Sequence, residues 1–234
     1  MAKKMSSIIE AFIKIFTTEN ILFMLKGARI SLLIAICGTG MGIVLGVIAA
    51  ILKISRNRFL NLIGGLYVEI IRGTPMLLQL SFFYLGVPAL YQQLTGNYWS
   101  APALLVGIVA IAINSGAYSC ELIRSAINSI DKGQWEAGMS IGLSRNEIMK
   151  EIILPQSFKR ILPPLANEFI VLIKDSSLVS TIGVVDLMKS STILGTKYYN
   201  YFVPMIGTAI VYLTLTLITS KLTSIMERRL AESD

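Results

Sequence analysis

The side chains in this chain that could do chemistry are few, and most of them stand inside long apolar runs. Glu69, Arg72, Asn114, Tyr118, Glu121, Glu168, Lys174 and Asp175 interrupt stretches that otherwise hold almost no charge. Asn114, Tyr118 and Glu121 recur at spacings of four and three, which puts them on one stripe of a helix. An amide, a phenol and a carboxylate on one face could contact the amine of a zwitterion. The same stripe could instead be satisfied by neighbouring helices, with Glu121 paired to Arg124 near the cytoplasmic edge. Glu69 and Arg72 are three apart and could pair in the same way. Lys174-Asp175-Ser176-Ser177 makes a second polar island, in which Lys174 and Asp175 point about 100° apart on a helix and need not pair. Arg72 or Lys174 would suit a carboxylate, and Glu121 or Asp175 a cation. The residues alone do not choose between them.

Other chemistries are excluded more firmly. There is no histidine, which removes Ser-His-Asp, Cys-His and His-metal arrangements together. The carboxylates Glu69, Glu121, Glu168 and Asp175 do not converge in sequence, so no catalytic residue and no metal set is assigned. No G-x-x-x-x-G-K-[ST] phosphate loop is present, so the chain has no usual means of cradling ATP. The run GTGMG superficially looks like a dinucleotide loop, but it lies within an apolar span and reads as packing. Cys37 and Cys120 sit in apolar segments without a CxxC and read as small buried hydrophobes.

These polar groups need elements to hold them, and the composition says what kind. Of 234 residues 54% are hydrophobic and 15% charged, with mean hydropathy +0.67. A soluble domain usually carries about 25% charge, whereas a bilayer-crossing helix needs ~20 apolar residues. The expectation is an all-α membrane protein of one domain with about five transmembrane helices. Residues 1–20 read as an amphipathic segment lying in the interface, with Ile8, Ile9, Phe12, Ile15 and Phe16 on one side, and not as a secretory signal. Residues 21–226 form the membrane domain and 227–234 a cytoplasmic tail. The first span covers about 21–54 and carries Gly38, Gly42 and Gly46 at intervals of four, a face for close helix packing. The second, about 59–90, is kinked at Pro75. The third covers about 101–127. The fourth begins at Pro163-Pro164, as first-turn prolines. Residues 188–200 read as a polar, tyrosine-rich connection, and the fifth span covers about 201–222. The basic residues set orientation rather than a nucleic-acid surface. Lys53, Arg56, Arg58, Lys132, Arg145, Lys150, Lys159, Arg160, Lys221, Arg228 and Arg229 fall on one side. The other side holds a loop over 91–100 without Lys or Arg, together with Lys189 and Lys197. Lys3, Lys4 and Lys14 at the amino terminus count against the balance without reversing it. The positive-inside rule then puts the amino terminus outside and the carboxyl terminus in the cytoplasm.

One polar stretch lies between two very apolar regions on the cytoplasmic side: QWEAGMSIGLSRNEIMKEIILP, residues 134–155. Ala137 and Gly138 are small enough for another protein surface to approach the backbone. Gly142 can take a left-handed turn that ends a first helix. Ser144 followed by Glu147 forms a capping box that starts a second, and Pro155 marks another turn. Helix, glycine break and capped helix make a rigid corner.

Glu136, Ala137, Gly138, Gly142, Ile152, Leu154 and Pro155 closely resemble the Glu-Ala-Ala-x3-Gly-x9-Ile-x-Leu-Pro signature of bacterial ABC importer permeases. Gly138 stands where that pattern has its second alanine. RGTPMLLQLSFFYLGVP, AYSCELIRSAINSIDKGQWEAG and the Lys-Asp-Ser-Ser-Leu run resemble the permeases for polar amino acids. The resemblance runs from near Gly27 to about Leu187. It implies a type I ABC importer permease fold in the cytoplasmic membrane, with 134–155 as the coupling helix. Glu136, Ala137, Gly138, Gly142, Leu154 and Pro155 would contact the ATPase. Arg72, Asn114, Tyr118, Glu121, Lys174, Asp175 and Ser176 would line a pathway for a polar or charged amino acid. It also implies two ATP-binding subunits holding ATP and Mg, with no cofactor on this chain. A second permease subunit, identical or not, and an external substrate-binding protein complete the set. Membrane lipid surrounds the assembly, and no nucleic acid is involved. An ion-coupled secondary amino-acid transporter is the alternative. It would usually show paired interrupted helices in two halves, and no such repeat is visible.

Overall fold

The computed structural model describes residues 10–231. After a short helical segment over 10–15, the chain forms α1 (Thr18–Ile54), α2 (Arg58–Arg72), α3 (Met76–Thr95), α4 (Ala103–Asn128) and α5 (Lys132–Ser140). Then come α6 (Leu154–Asp175), a 3₁₀ segment (Ser176–Ile182), α7 (Leu187–Tyr198) and α8 (Phe202–Ala231). α1, α4 and α8 are each long and apolar enough to cross a membrane, and the bent pair α2–α3 makes a fourth candidate. α6 is too polar to pass on composition alone. It packs against α1, α4 and α8 and joins the bundle as an amphipathic fifth member.

The core is set by the α1–α4 contact, and the glycine repeat makes it. A Cβ at Gly38 would stand 2.6 Å from Ile111 Cγ2, one at Gly42 2.6 Å from Ser115 Oγ, and one at Gly46 2.5 Å from Ser119 Cβ. Each step of four on α1 meets a step of four on α4, so the two backbones touch along three turns. Ile34, Ala35, Leu80, Ala110, Ile111, Leu172, Ile173 and Val179 gather around this seam from five elements.

Several expectations need correction. The break at Pro75 is far sharper than a kink: α2 and α3 meet at 102°. Residues 188–200 are not a connection, because Leu187–Tyr198 is helical and packs on α1 and α8. Pro163 and Pro164 lie inside α6 rather than at its start. Pro155 does not turn the chain either. The helix that begins at Arg145 passes through a π turn (Ile148–Ile153) straight into α6, with Leu154 N–H donating to Met149 O. A proline has no N–H and crowds the carbonyl four residues back, and a widened turn just ahead of it relieves that crowding. The same device recurs before Pro88, where Phe82–Gly86 is a π turn. The amphipathic amino-terminal segment is described only from residue 10. There Ile15 is buried and Phe16 packs beside Gly207, while Ile8 and Ile9 lie outside the described residues.

Candidate functional site

The corner over residues 134–155 follows its sequence closely at two points and departs at a third. α5 ends in a paired closing motif: Gly142 N–H donates to Met139 O at 3.0 Å and Leu143 N–H to Gly138 O at 3.1 Å. Gly142 takes φ +84°, where a side chain would be strained and glycine is not. Glu147 N–H then donates to Ser144 Oγ at 3.4 Å, and Ser144 N–H to Glu147 Oε2 at 2.8 Å. The Ser144 hydroxyl and N–H hold the Glu147 carboxyl below its ordinary pKa. Gly138, in contrast, does not face a partner. It is buried, and a Cβ there would stand 2.7 Å from Ile148 Cγ1, so its smallness lets α5 lie against the start of the next helix. Trp135 and Leu143 pack with Ile130, Ile148 and Ile153, and Gln156 donates to Gln134 Oε1 at 3.2 Å. Arg160 reaches Ser129 O at 2.6 Å and ties α6 to the end of α4. The corner is therefore braced to its stem. Glu136 and Ala137 are exposed on it, and Ile141, at its tip, is 75% exposed. Leu154 and Pro155 are also exposed. Leu154 lines an apolar groove of about 700 Å³ with Val47, Ile51 and Phe158.

Deeper in the bundle, the 102° bend brings scattered polar residues together. Arg72, Thr74, Asn114, Tyr118, Glu168 and Asp175 line one cavity of about 530 Å³. Tyr118 and Glu168 also line an adjoining one of about 360 Å³, with Pro163, Pro164 and Asn167. Gln79 holds the bend. Its Nε2 reaches Ile71 O at 2.7 Å, Thr74 O at 3.1 Å and Thr74 Oγ1 at 2.9 Å, while its Oε1 accepts from Asn114 Nδ2 at 3.0 Å. The carbonyls orphaned by the Gly73-Thr74-Pro75 break are thereby paired. Gln79 was not singled out in the sequence. Its signal was an amide just past a helix-breaking Gly-Thr-Pro.

Of the expected pathway residues, Arg72, Asn114, Tyr118 and Asp175 share the cavity. Ser176 does not: it is fully buried and donates to Ile173 O at 2.7 Å. Lys174 faces another way, lining a separate cavity of about 390 Å³ with Ser177, Thr208 and Tyr212. Glu121 is a structural hub. Lys53 Nζ lies 2.6 Å from it, Arg124 donates to both its oxygens, and Arg72 Nη1 stands at 3.8 Å. The expected Glu121–Arg124 pair is present, but Arg72 turns to Glu121 and not to Glu69. The Arg72 guanidinium also lies 5.2 Å over the Tyr118 ring. One carboxylate thus joins the ends of α1 and α2 to the last third of α4.

A helical bundle with membrane-crossing elements and a polar corner braced to a cavity-lining helix is the architecture of a membrane transport subunit. The chain belongs to the family of binding-protein-dependent transport system inner membrane components, whose model matches residues 42–232. It is 41% identical over 216 residues to a putative glutamine transport system permease protein of Rickettsia bellii, covering 92% of this chain and 96% of that one. It is 38% identical over 218 residues to an arginine transport system permease protein of Bacillus subtilis, covering 93% and 97%. Among solved structures, an amino acid ABC transporter with histidines superposes with a TM-score of 0.83 at 39% identity, covering 88% of this chain and 94% of that one. The MetNI methionine ABC transporter in an inward-facing form shares the fold, with a TM-score of 0.72 at 16% identity over 92% and 99%. The chain is thus an inner-membrane component of a type I ABC permease fold, of a family that works with ATPase and binding-protein partners.

Proposed function

We propose that this chain is the membrane-spanning permease subunit of an ATP-driven importer for polar or charged amino acids. In this reading two ATP-binding subunits, which hold ATP and Mg, dock on the corner at residues 134–155, through Glu136, Ala137, Ile141 and Gly142. This chain binds no cofactor of its own. A second permease subunit closes the open side of the pathway, and an external binding protein delivers the substrate. The amino terminus lies outside and the carboxyl terminus in the cytoplasm, because the basic residues at the corner side outweigh Lys3, Lys4, Lys14, Lys26, Arg29, Lys189 and Lys197.

The observation that carries the reading is the continuity of α6. Its 22 residues span about 33 Å, with the braced corner at one end and Glu168 and Asp175 in the polar cavity towards the other. ATP-driven closure of the ATPase pair moves the corner, and α6, continuous from the corner to Asp175, carries that movement to the cavity. ATP achieves this only by binding one conformation better than the other. Within the cavity Arg72 suits an α-carboxylate, while Glu168 and Asp175 suit an amine. Two carboxylates against one guanidinium favour a neutral or cationic amino acid over an acidic one, in keeping with relatives named for glutamine and arginine.

The test is a gentle detergent extraction of the native complex, with co-purifying subunits identified by mass and uptake measured in vesicles. An ATP-binding subunit should co-purify, and uptake of glutamine or arginine should require ATP. A chain that comes out alone, with uptake driven by an ion gradient, refutes the proposal.

A further inference from the structure

Tyr199 closes α7 with φ 51° and ψ 33°, and among the described residues it is the one non-glycine residue with positive φ. Its N–H donates to Thr196 O at 3.4 Å and Asn200 N–H to Gly195 O at 3.0 Å. These are the paired bonds of a helix end whose left-handed position is ordinarily glycine. The side chain is 93% exposed, so packing does not explain the residue. Asparagine would tolerate this backbone better, yet the neighbouring Asn200 is used elsewhere: its Oδ1 accepts from Val203 N–H at 3.2 Å and caps α8.

The turn around Tyr199 is built to hold it. Gly195 has no side chain, and a Cβ there would run into the Tyr201 ring, which lies against the end of α7. Thr196 Oγ1 and Tyr201 hydroxyl stand 3.0 Å apart and close the loop. Lys197 Nζ lies 5.2 Å over the Tyr198 ring, leaving a cation beside the tip. A strained and nearly naked aromatic persists where function uses it. Tyrosine offers a large, stiff contact surface at low entropic cost, which is why it anchors interfaces. An interfacial tyrosine that only marks membrane depth could occupy any ordinary helical position and would need no left-handed one.

The turn lies where α7 gives way to α8, at the opposite end of α8 from Arg228 and Arg229, and so on the face away from the ATPase corner. We infer that Tyr199 is an anchor on which the external binding protein docks, its ring entering an apolar socket with a carboxylate at the rim to meet Lys197. This inference rests on the importer function proposed above.

The test uses the whole complex in nanodiscs, with ATP hydrolysis followed against the concentration of the system's own binding protein loaded with glutamine or arginine. For Tyr199→Gly the basal rate and the melting temperature should not fall, while the concentration giving half-maximal stimulation rises about tenfold. Tyr199→Phe should stay within about threefold of the parent, because the ring provides most of the contact. A Tyr199→Gly complex that titrates like the parent, or that loses basal hydrolysis in proportion, overturns the inference. A parent complex that no binding protein stimulates overturns the importer reading itself, and this inference with it.

Discussion

Two turns of the same backbone design sit at opposite faces of this molecule. At Gly142 and at Tyr199 a helix ends in paired closing bonds around a left-handed residue, and a new helix starts within a few residues. In each a buried glycine one turn earlier lets the following segment fold against the helix: Gly138 under Ile148, Gly195 under Tyr201. They differ in the left-handed residue. The inner turn has glycine, which accepts the conformation freely, and presents Ile141 beside it. The outer turn puts a tyrosine there, at an expected cost of about 1–2 kcal/mol, and presents that tyrosine itself. The comparison teaches that a tight turn can carry its contact residue next to the strained position or on it. The second choice is visible only because it violates a backbone preference.

The largest effect expected from breaking this comparison is at the inner turn. Gly142→Arg places a bulky side chain at φ +84° and should abolish ATP-dependent uptake while leaving membrane insertion intact. Gly142→Asn, which tolerates the backbone, should keep most of it. Vesicle uptake with a blot for inserted chain distinguishes the two, and normal transport by the arginine variant would remove the coupling role. Next come the bracing glycines. Gly138→Val and Gly195→Val each overpack by about 1–3 kcal/mol, and the phenotypes should separate. The first should weaken ATPase co-purification, and the second should raise the binding-protein concentration needed for stimulation. Identical phenotypes would mean that the turns are merely structural. Gln79→Leu, between the two faces, leaves the Ile71 and Thr74 carbonyls without a partner and should lower stability by about 1–3 kcal/mol in thermal unfolding. Uptake should fall while both turns still bind their partners. Smallest is the effect of Tyr199→Gly on folding itself, a gain of about 1 kcal/mol seen as a higher melting temperature. A lower melting temperature would show that Tyr199 packs on something after all.

Much of the inner turn was legible in the chain. The left-handed Gly142 and the Ser144–Glu147 box are local chemistry, decided within four residues, and both stand as read. So does the helix contact at Gly38, Gly42 and Gly46, because a repeat of four survives any arrangement that keeps α1 helical. The polar residues were harder. Glu121 was legible as a member of a stripe and as a partner of Arg124. Its bonds to Lys53 and Arg72 depend on α1 and α2 ending beside it, which no spacing within α4 encodes. Ser176 looked like its neighbours in the Lys-Asp-Ser-Ser run. The change from α-helix to 3₁₀ turn after Asp175 swings it inward, to donate to the Ile173 carbonyl. The outer turn was missed because a tyrosine-rich run has no turn signal. Gly195 lies four residues before the left-handed position, and the residue that occupies it is an unfavourable choice.

What the sequence by itself determined was the set of apolar helices, the glycine seam, the polar corner and its kinship with importer permeases, all consequences of short-range pattern. What only the tertiary structure decided was the direction of each polar group. A right-angle bend at Gly73-Thr74-Pro75, pinned by Gln79, brings Arg72, Asn114 and Asp175 around one cavity while Lys174 is turned away from it. Helical spacing fixes a side chain's angle about its own axis, but which neighbour lies at that angle depends on how the axes cross.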